Sequence, residues 1–355
     1  MSKGNPVIVA NPSNGNQPFI QICDIANRVA SLTGIEFDVV VPEFYPGTQR
    51  EIMGYRSGRH DNVYLSRELG ELLVQTMIDS NGYSNFLDRF TAHAGEVERR
   101  YQECLKAPIK ALSLTGKEKT LSPKDIQFDV SAWMQLDTGL RAYETGSFIF
   151  PQILDYAIAE GGHGFDVEKL KQARDFSKDN KRFKKIFLSS VHQLGFDNNR
   201  VPYANEVYTP PQKEPSPEDK TDMPPFIYLN VPGNSFGRDK ILEKYKEFTS
   251  QGLEVVFSTN LKDPSYRTSK PSIINNKNCR GVVGRSGMGT LWEAQLAKKP
   301  FIPLVLENDD PEITFILRTI NGIDLVKETE EVERKFGTLN GIDYVARQII
   351  KEEGL

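Results

Sequence analysis

The chain has 355 residues, 38% hydrophobic and 26% charged, enough to build two cores of ordinary size. Its 44 basic and 48 acidic side chains leave a formal net charge of -4, which gives no electrostatic case for nucleic acid or an anionic membrane surface as the principal partner. Three scattered cysteines form no disulfide framework or zinc motif, and no apolar stretch has the length of a signal peptide or a membrane span, so the expectation is a cytoplasmic protein with at most peripheral membrane contact.

In chain order, "PVIVANPSNGN" reads as a strand and a polar loop, Gln17 to Leu32 as a helix and "IEFDVVVP" as a second strand, which is a Rossmann-like opening. The pattern then turns helical in "ELLVQTMI" and "NFLDRFTAHAGEVERRYQECL", giving an expected helical insertion over about 70–112. "IQFDVSAWMQL", "GSFIFPQILDYAI" and "KKIFLSSVHQL" read as further strands or strand–helix units, and "NEVYTPP" as one more. The stretch "YTPPQKEPSPEDKTDMPP" is rich in proline and charge and almost free of apolar residues. Such a segment cannot bury enough surface to fold alone, so it is expected as a linker over 209–224, between a first domain at 1–208 and a second at 225–340.

The second half alternates strand and helix: "FIYLNVPG", a helix from Lys240 to Phe248, "LEVVFSTN", "RGVVG", a helix from Thr290 to Lys298, "FIPLVL" and a helix from Glu312 to Ile320. Short apolar strands without polar alternation are buried on both faces, and interleaved with helices they predict a parallel sheet covered on both sides. The fold class expected is therefore α/β, with two Rossmann-like doubly wound domains. The segment 341–355, with Ile342, Val345, Ile349 and Ile350 at helical spacing, is expected as a closing helix.

Ligands of open α/β sheets sit beyond the carboxyl ends of strands, where helix N-termini present free N–H groups. "VVGRSGMGTLWEA" is such a joint. Its glycines, Gly284, Gly287 and Gly289, permit positive φ and close backbone approach, while Ser286 and Thr290 offer hydroxyls and an N-cap. The exposed amides of the joint would face an anion, and a diphosphate is the natural guest. Glu293 lies one helical turn past Thr290, within reach of a ribose diol. The same residues also suit a bare strand-to-helix turn and an acid favoured by the helix dipole. A second joint, "NVPGNSFGRDK", repeats the pattern with Gly233, Asn234, Ser235 and Arg238, and "LENDDPEITF" clusters Asp309, Asp310 and Glu312 at the start of a helix. There is no Gly-Lys-Ser/Thr, and "NPSNGN" after the first strand lacks a dinucleotide fingerprint, which argues against a Walker site and against a nicotinamide-dependent oxidoreductase.

On "VVGRSGMGTLWEAQLAKKPFIPLVLENDDPEITF", supported by "IYLNVPGNSFGRDK", the chain resembles the GT-B glycosyltransferases, in particular the branch containing the N-acetylglucosaminyltransferase that acts on peptidoglycan lipid I. The resemblance implies two Rossmann-like domains facing a cleft, the second binding a nucleotide sugar. It gives the Gly/Ser loop, Ser286, Gly287, Met288 and Gly289, to the diphosphate, Glu293 to the ribose, and Asp309, Asp310 and Glu312 to the sugar hydroxyls. The implied reaction is transfer of a hexosyl or N-acetylhexosaminyl group from a nucleoside-diphosphate sugar, expected to be a UDP-sugar, to an acceptor hydroxyl. No metal or other cofactor is expected, since amides and Arg238 or Arg285 supply the positive charge, and inversion is expected with a base from the first domain. The candidate bases are His192, then Asp137 and His163, with Asn14 and Asn16 of the first loop also marked. A nucleotide-sugar 2-epimerase of the same architecture and a non-catalytic nucleotide-sugar-binding protein stay open as alternatives.

Overall fold

Val7–Ala10 forms β1, a four-residue run whose side chains are all buried, which is the signature of a strand covered on both faces. The computed structural model containing it describes residues 4–11, 17–44, 49–50, 53–54, 61–77, 83–131, 136–162, 164–177, 182–189, 202–231, 238–259, 261, 263–285, 288–304, 311–320 and 322–355. The chain divides into two units: one holds the sequence up to Ser189, the stretch ending at Gln212 and Ile342–Leu355, and the other holds Lys213–Gly341.

In the first unit β1 is followed by α1 (Gln17–Thr33), β2 (Asp38–Pro42), β3 (Val63–Ser66), α2 (Arg67–Met77), α3 (Tyr83–Leu105), β4 (Ile109–Ser113), β5 (Glu118–Leu121), β6 (Ile126–Ser131), β7 (Ala142–Gly146), α4 (Phe150–Ala159), α5 (Val167–Ser177), β8 (Phe183–Leu188) and β9 (Glu206–Tyr208). These strands of the described residues lie in the order β5-β4-β3-β2-β1-β6-β7-β8-β9. All pairs are parallel except β3–β4 and β4–β5. The chain thus winds outward from β1 in both directions, as a doubly wound sheet does.

The helical stretch expected over 70–112 ends earlier, at Leu105, and Ile109–Ser113 is a strand. That strand alternates buried residues with ones that reach solvent, as an antiparallel strand with one wet face should, and turns into the edge strand β5 through Gly116 at φ 89°. Gly70 lets α2 lie against the loop after β2, for a Cβ there would fall 2.0 Å from the Glu43 carbonyl oxygen.

The second unit runs β10 (Phe226–Asn230), α6 (Arg238–Ser250), β11 (Glu254–Ser258), β12 (Thr268–Ser269), a 3-10 helix (Pro271–Asn275), β13 (Cys279–Gly284), α7 (Met288–Leu296), β14 (Phe301–Pro303), α8 (Pro311–Ile320) and α9 (Leu325–Phe336). Its five strands among the described residues are all parallel, in the order β12-β11-β10-β13-β14. Ile227, Leu229, Val255, Phe257 and Val283 of the strands pack with Ile241 and Phe248 of α6 in one buried cluster, closed by Tyr245 and Tyr266. Helix α9 is bracketed by Asp324, whose carboxylate accepts from the amides of Val326 and Lys327, and by Gly337 at φ 68°.

The last helix, α10 (Gly341–Glu353), belongs to the first unit. Ile342, Val345, Ala346 and Ile349 are fully buried there. Arg28 Nε donates to Asp343 at 2.6 Å, Arg141 pairs with Glu353 at 2.8 Å and the Tyr143 hydroxyl donates to the same carboxylate. No helix among the described residues is long and apolar enough to cross a membrane.

Candidate functional site

The second sheet reverses its direction of winding between β10 and β13, since β10 leads outward to β11 and β12 while β13 leads to β14 on the other side. The carboxyl ends of those two strands therefore mark the switch point, where an open α/β sheet leaves a crevice. Asn230 and Gly284 end the strands and are register partners. A Cβ on Gly284 would lie 3.1 Å from Asn230 Cβ, so the small residue serves this close approach. It does not serve a left-handed turn, because Gly284 has no positive φ and Gly289 lies inside α7. The expectation of positive φ at these two positions is corrected accordingly.

Thr290 is also placed differently from the sequence expectation. It sits within the first turn of α7, not at the N-cap, and its Oγ1 accepts from Asn230 Nδ2 at 2.7 Å. Strand end and helix start are thereby tied together, with Met288, Gly289 and Thr290 half-buried at the helix mouth and half-buried Arg285 just after β13. Amides in the first turn of a helix lack intrahelical acceptors, so this mouth presents donors to an anion. Ser286 and Gly287 lie outside the described residues, as do Gly233, Asn234, Ser235, Asp309 and Asp310. Arg238 opens α6 and Glu312 is the second residue of α8.

Glu293 follows one turn into α7 and is only 1% exposed. Its carboxylate is fully engaged: Lys213 Nζ stands 2.6 Å from Oε2, Ser216 Oγ donates to Oε1 at 2.7 Å, and Asn275 Nδ2 reaches Oε1 at 3.4 Å. Lys213 and Ser216 come from the proline-rich segment. Farther along, Asn276 Nδ2 donates to Asp219 Oδ1 at 3.0 Å and to the Thr221 carbonyl at 2.7 Å, and Asn278 Nδ2 donates to the Met223 carbonyl at 2.5 Å. The hydrogen bond from Asn276 holds the Asp219 carboxyl below the usual range. A segment too poor in apolar residues for a core of its own is thus fastened by side-chain amides of the "NNKN" run.

The first unit carries a buried polar group on β6. Asp129 is fully buried, its Oδ2 accepts from the Thr138 hydroxyl and, at 3.5 Å, from Asn11 Nδ2, and its Oδ1 has no partner. Burial pushes the Asp129 carboxyl up to about 7, against the pull of Thr138, Arg182 and Asn11. Glu98 of α3, 3.6 Å from Arg182, is likewise pushed up to about 7 by burial. Burial lowers the Arg182 guanidinium, and Asp129, Glu98, Glu144 and Asp137 all oppose that effect. Of the candidate bases, Asp137 spends its Oδ1 on the Gly139 amide at 2.8 Å, which makes it the organiser of a turn. His192, His163, Asn14 and Asn16 lie outside the described residues. No His, Cys, Asp and Glu cluster among the described residues could hold a metal ion.

Asn230, Lys213, Ser216, Asn275 and Asp129 were not singled out from the sequence. Asn230 had a signal, as the residue that ends an apolar strand before a glycine loop. The others had none, for Lys213 and Glu293 stand far apart in the chain and nothing in either segment points to the other.

No protein-family model and no curated protein matches the sequence. Solved structures do match in shape. A UDP-glucosyltransferase from Polygonum tinctorium capable of glucosylating indoxyl, complexed with 3,4-dichloroaniline, superposes with a TM-score of 0.63 at 10% identity over 100% of both chains. Medicago truncatula UGT71G1, complexed with UDP-glucose, gives 0.56 at 11% identity over 98% of both chains. The glycosyltransferase SnogD from Streptomyces nogalater gives 0.56 at 11% identity over 97% of this chain and 98% of that one. The fold is that of the GT-B glycosyltransferases. Within this GT-B fold, the second Rossmann-like unit carries the switch-point crevice with Asn230, Thr290 and Glu293, and the first carries the buried Asp129 group.

Proposed function

We propose that the protein is a glycosyltransferase that moves a hexosyl or N-acetylhexosaminyl group from a nucleoside-diphosphate sugar, a UDP-sugar in the first instance, to an acceptor hydroxyl. The observation that carries this reading is the switch point of the second unit, where Asn230 and Gly284 end adjacent strands, Asn230 grips Thr290, and Glu293 lies one turn deeper. A diphosphate seated on the first-turn amides of α7 would gain the positive end of the helix and Arg285, without need of a metal ion. Glu293 is the acceptor for the ribose diol, and Asp309, Asp310 and Glu312 would serve the sugar. Similar folds crystallised with UDP-glucose and with UDP support a nucleoside diphosphate or its sugar as the ligand.

For an inverting transfer the first unit supplies the base, and His192, His163 and Asp137 stay in the test set. The free thiols of Cys23, Cys104 and Cys279 suit a reducing, cytoplasmic setting.

A thermal-shift series with UDP, dTDP, GDP and NAD tests the donor site. Stabilisation by a nucleoside diphosphate, undiminished by chelator and lost in Glu293→Ala, is the expected result; stabilisation by NAD alone refutes the reading. Incubation with the best nucleotide sugar then separates the activities. Turnover that waits for an added soluble or lipid-linked acceptor is expected, whereas free sugar epimerised at C2 would identify an epimerase and binding without turnover a sensor.

A further inference from the structure

The segment that links the units is fastened to the very carboxylate that a ribose would need. With Lys213 on Oε2, Ser216 and Asn275 on Oε1, and 1% exposure, Glu293 has no edge left for a diol. The segment is pinned at both of its ends. Gln212, just before it, is buried in the first unit and donates to the Phe187 carbonyl at 2.8 Å and to Thr209 Oγ1 at 3.0 Å. Asp219 and Thr221, just after it, are held by Asn276. Only residues 213–218 lie between those anchors, and Pro215 and Pro217 restrict their conformations, so they can lift only as a short stiff piece.

A buried carboxylate without a partner is strongly destabilising, so the chain's own ammonium and hydroxyl can leave Glu293 only as hydroxyl donors of a ligand take their place. We infer that residues 213–218 are a self-capping strap, closed over Glu293 in the free protein and displaced by the ribose of an incoming nucleoside diphosphate. The inference rests on Glu293 being the ribose acceptor, as proposed above. It adds that donor binding is opposed by an intramolecular competitor and frees the Lys213 ammonium.

The test uses the wild-type protein. Lysine amines are acetylated briefly in the presence and absence of saturating UDP, dTDP or GDP, and the labelling of Lys213 is read by mass spectrometry against Lys220, an exposed lysine of the same segment. The strap predicts that the Lys213 to Lys220 ratio rises by about tenfold or more with nucleotide, the factor expected when one charge-assisted hydrogen bond is released. Ser216→Ala, which removes one strap contact and leaves the ion pair, should bind the nucleotide severalfold more tightly. Hydrogen exchange at the first turn of α7 reports in parallel whether the diphosphate seat is occupied. If the nucleotide protects that turn and the Lys213 ratio stays flat or falls, the strap is wrong and the donor site stands. If no nucleotide protects the turn, the donor reading fails and the strap falls with it.

Discussion

Replacing Asp129 by asparagine should change how stability depends on pH. The Asp129 carboxyl is raised from 3.8 to about 7 in the folded protein, chiefly by burial. Between those values the native state holds a proton that the unfolded chain has released. Stability contributed by the group is therefore complete below about pH 4, falls as pH rises, and is gone once pH passes the folded value near 7. At one and a third kcal/mol for each unit, the shift could reach roughly 4 kcal/mol. Asp129 shares Arg182 with Glu98 and Glu144, so on the order of 2 kcal/mol is the figure to expect for this residue alone. Asparagine has nearly the shape of aspartate and keeps an oxygen for the Thr138 hydroxyl, so little packing is lost. Hydrogen exchange of β6 and β7 peptides, followed through urea at pH 5, 6, 7 and 8, measures the first unit directly. Asp129→Asn should match or exceed the wild type at pH 8 and show a shallower decline from pH 5, with Glu98 supplying the slope that remains. Parallel curves for the two proteins would refute the reasoning.

Two further substitutions probe the second unit. Gly284→Ala brings a methyl to 3.1 Å from Asn230 Cβ; it should cost about 1–2 kcal/mol in urea unfolding and weaken nucleotide binding by moving the Asn230 amide off Thr290, and an unchanged affinity would show that this contact does not shape the crevice. Lys298 follows α7 with φ 52°, so Lys298→Gly should relieve left-handed strain; after loss of its exposed ion pair with Glu333 a gain of about 0.5 kcal/mol is expected, visible as a small rise in Tm relative to Glu333→Ala.

The second unit was legible in sequence because its central strands are built on short apolar runs. "FIYLN", "EVVFS" and "CRGVVG" are all strands of a parallel sheet, and each is followed by a polar joint. Two parts of the chain hid in their surroundings. The β4–β5 hairpin stands beside two long helices, and its alternating pattern is too short to compete with theirs. Helix α9 is strongly charged, with an apolar side of few residues such as Leu325 and Val332, and its caps, Asp324 and Gly337, mark its ends. At the site, the joint before α7 was readable because glycines, a threonine and an acid fall within ten residues. What holds Glu293 was not readable, because Lys213, Ser216 and Asn275 approach it only after the chain has folded back, and a lysine in a charged linker looks like any solvated lysine.

The return of α10 to the first unit also sets an order of events for a newly made chain. β1 emerges early, yet the surface that will meet Ile342, Val345 and Ile349 has no cover until the whole of Lys213–Gly341 has been synthesised. At ordinary translation speeds that delay is roughly ten seconds or more. Throughout it the nascent first unit exposes an apolar strip beside Arg28 and Tyr143, so the second unit, with its core already local in sequence, can finish folding before the first one does.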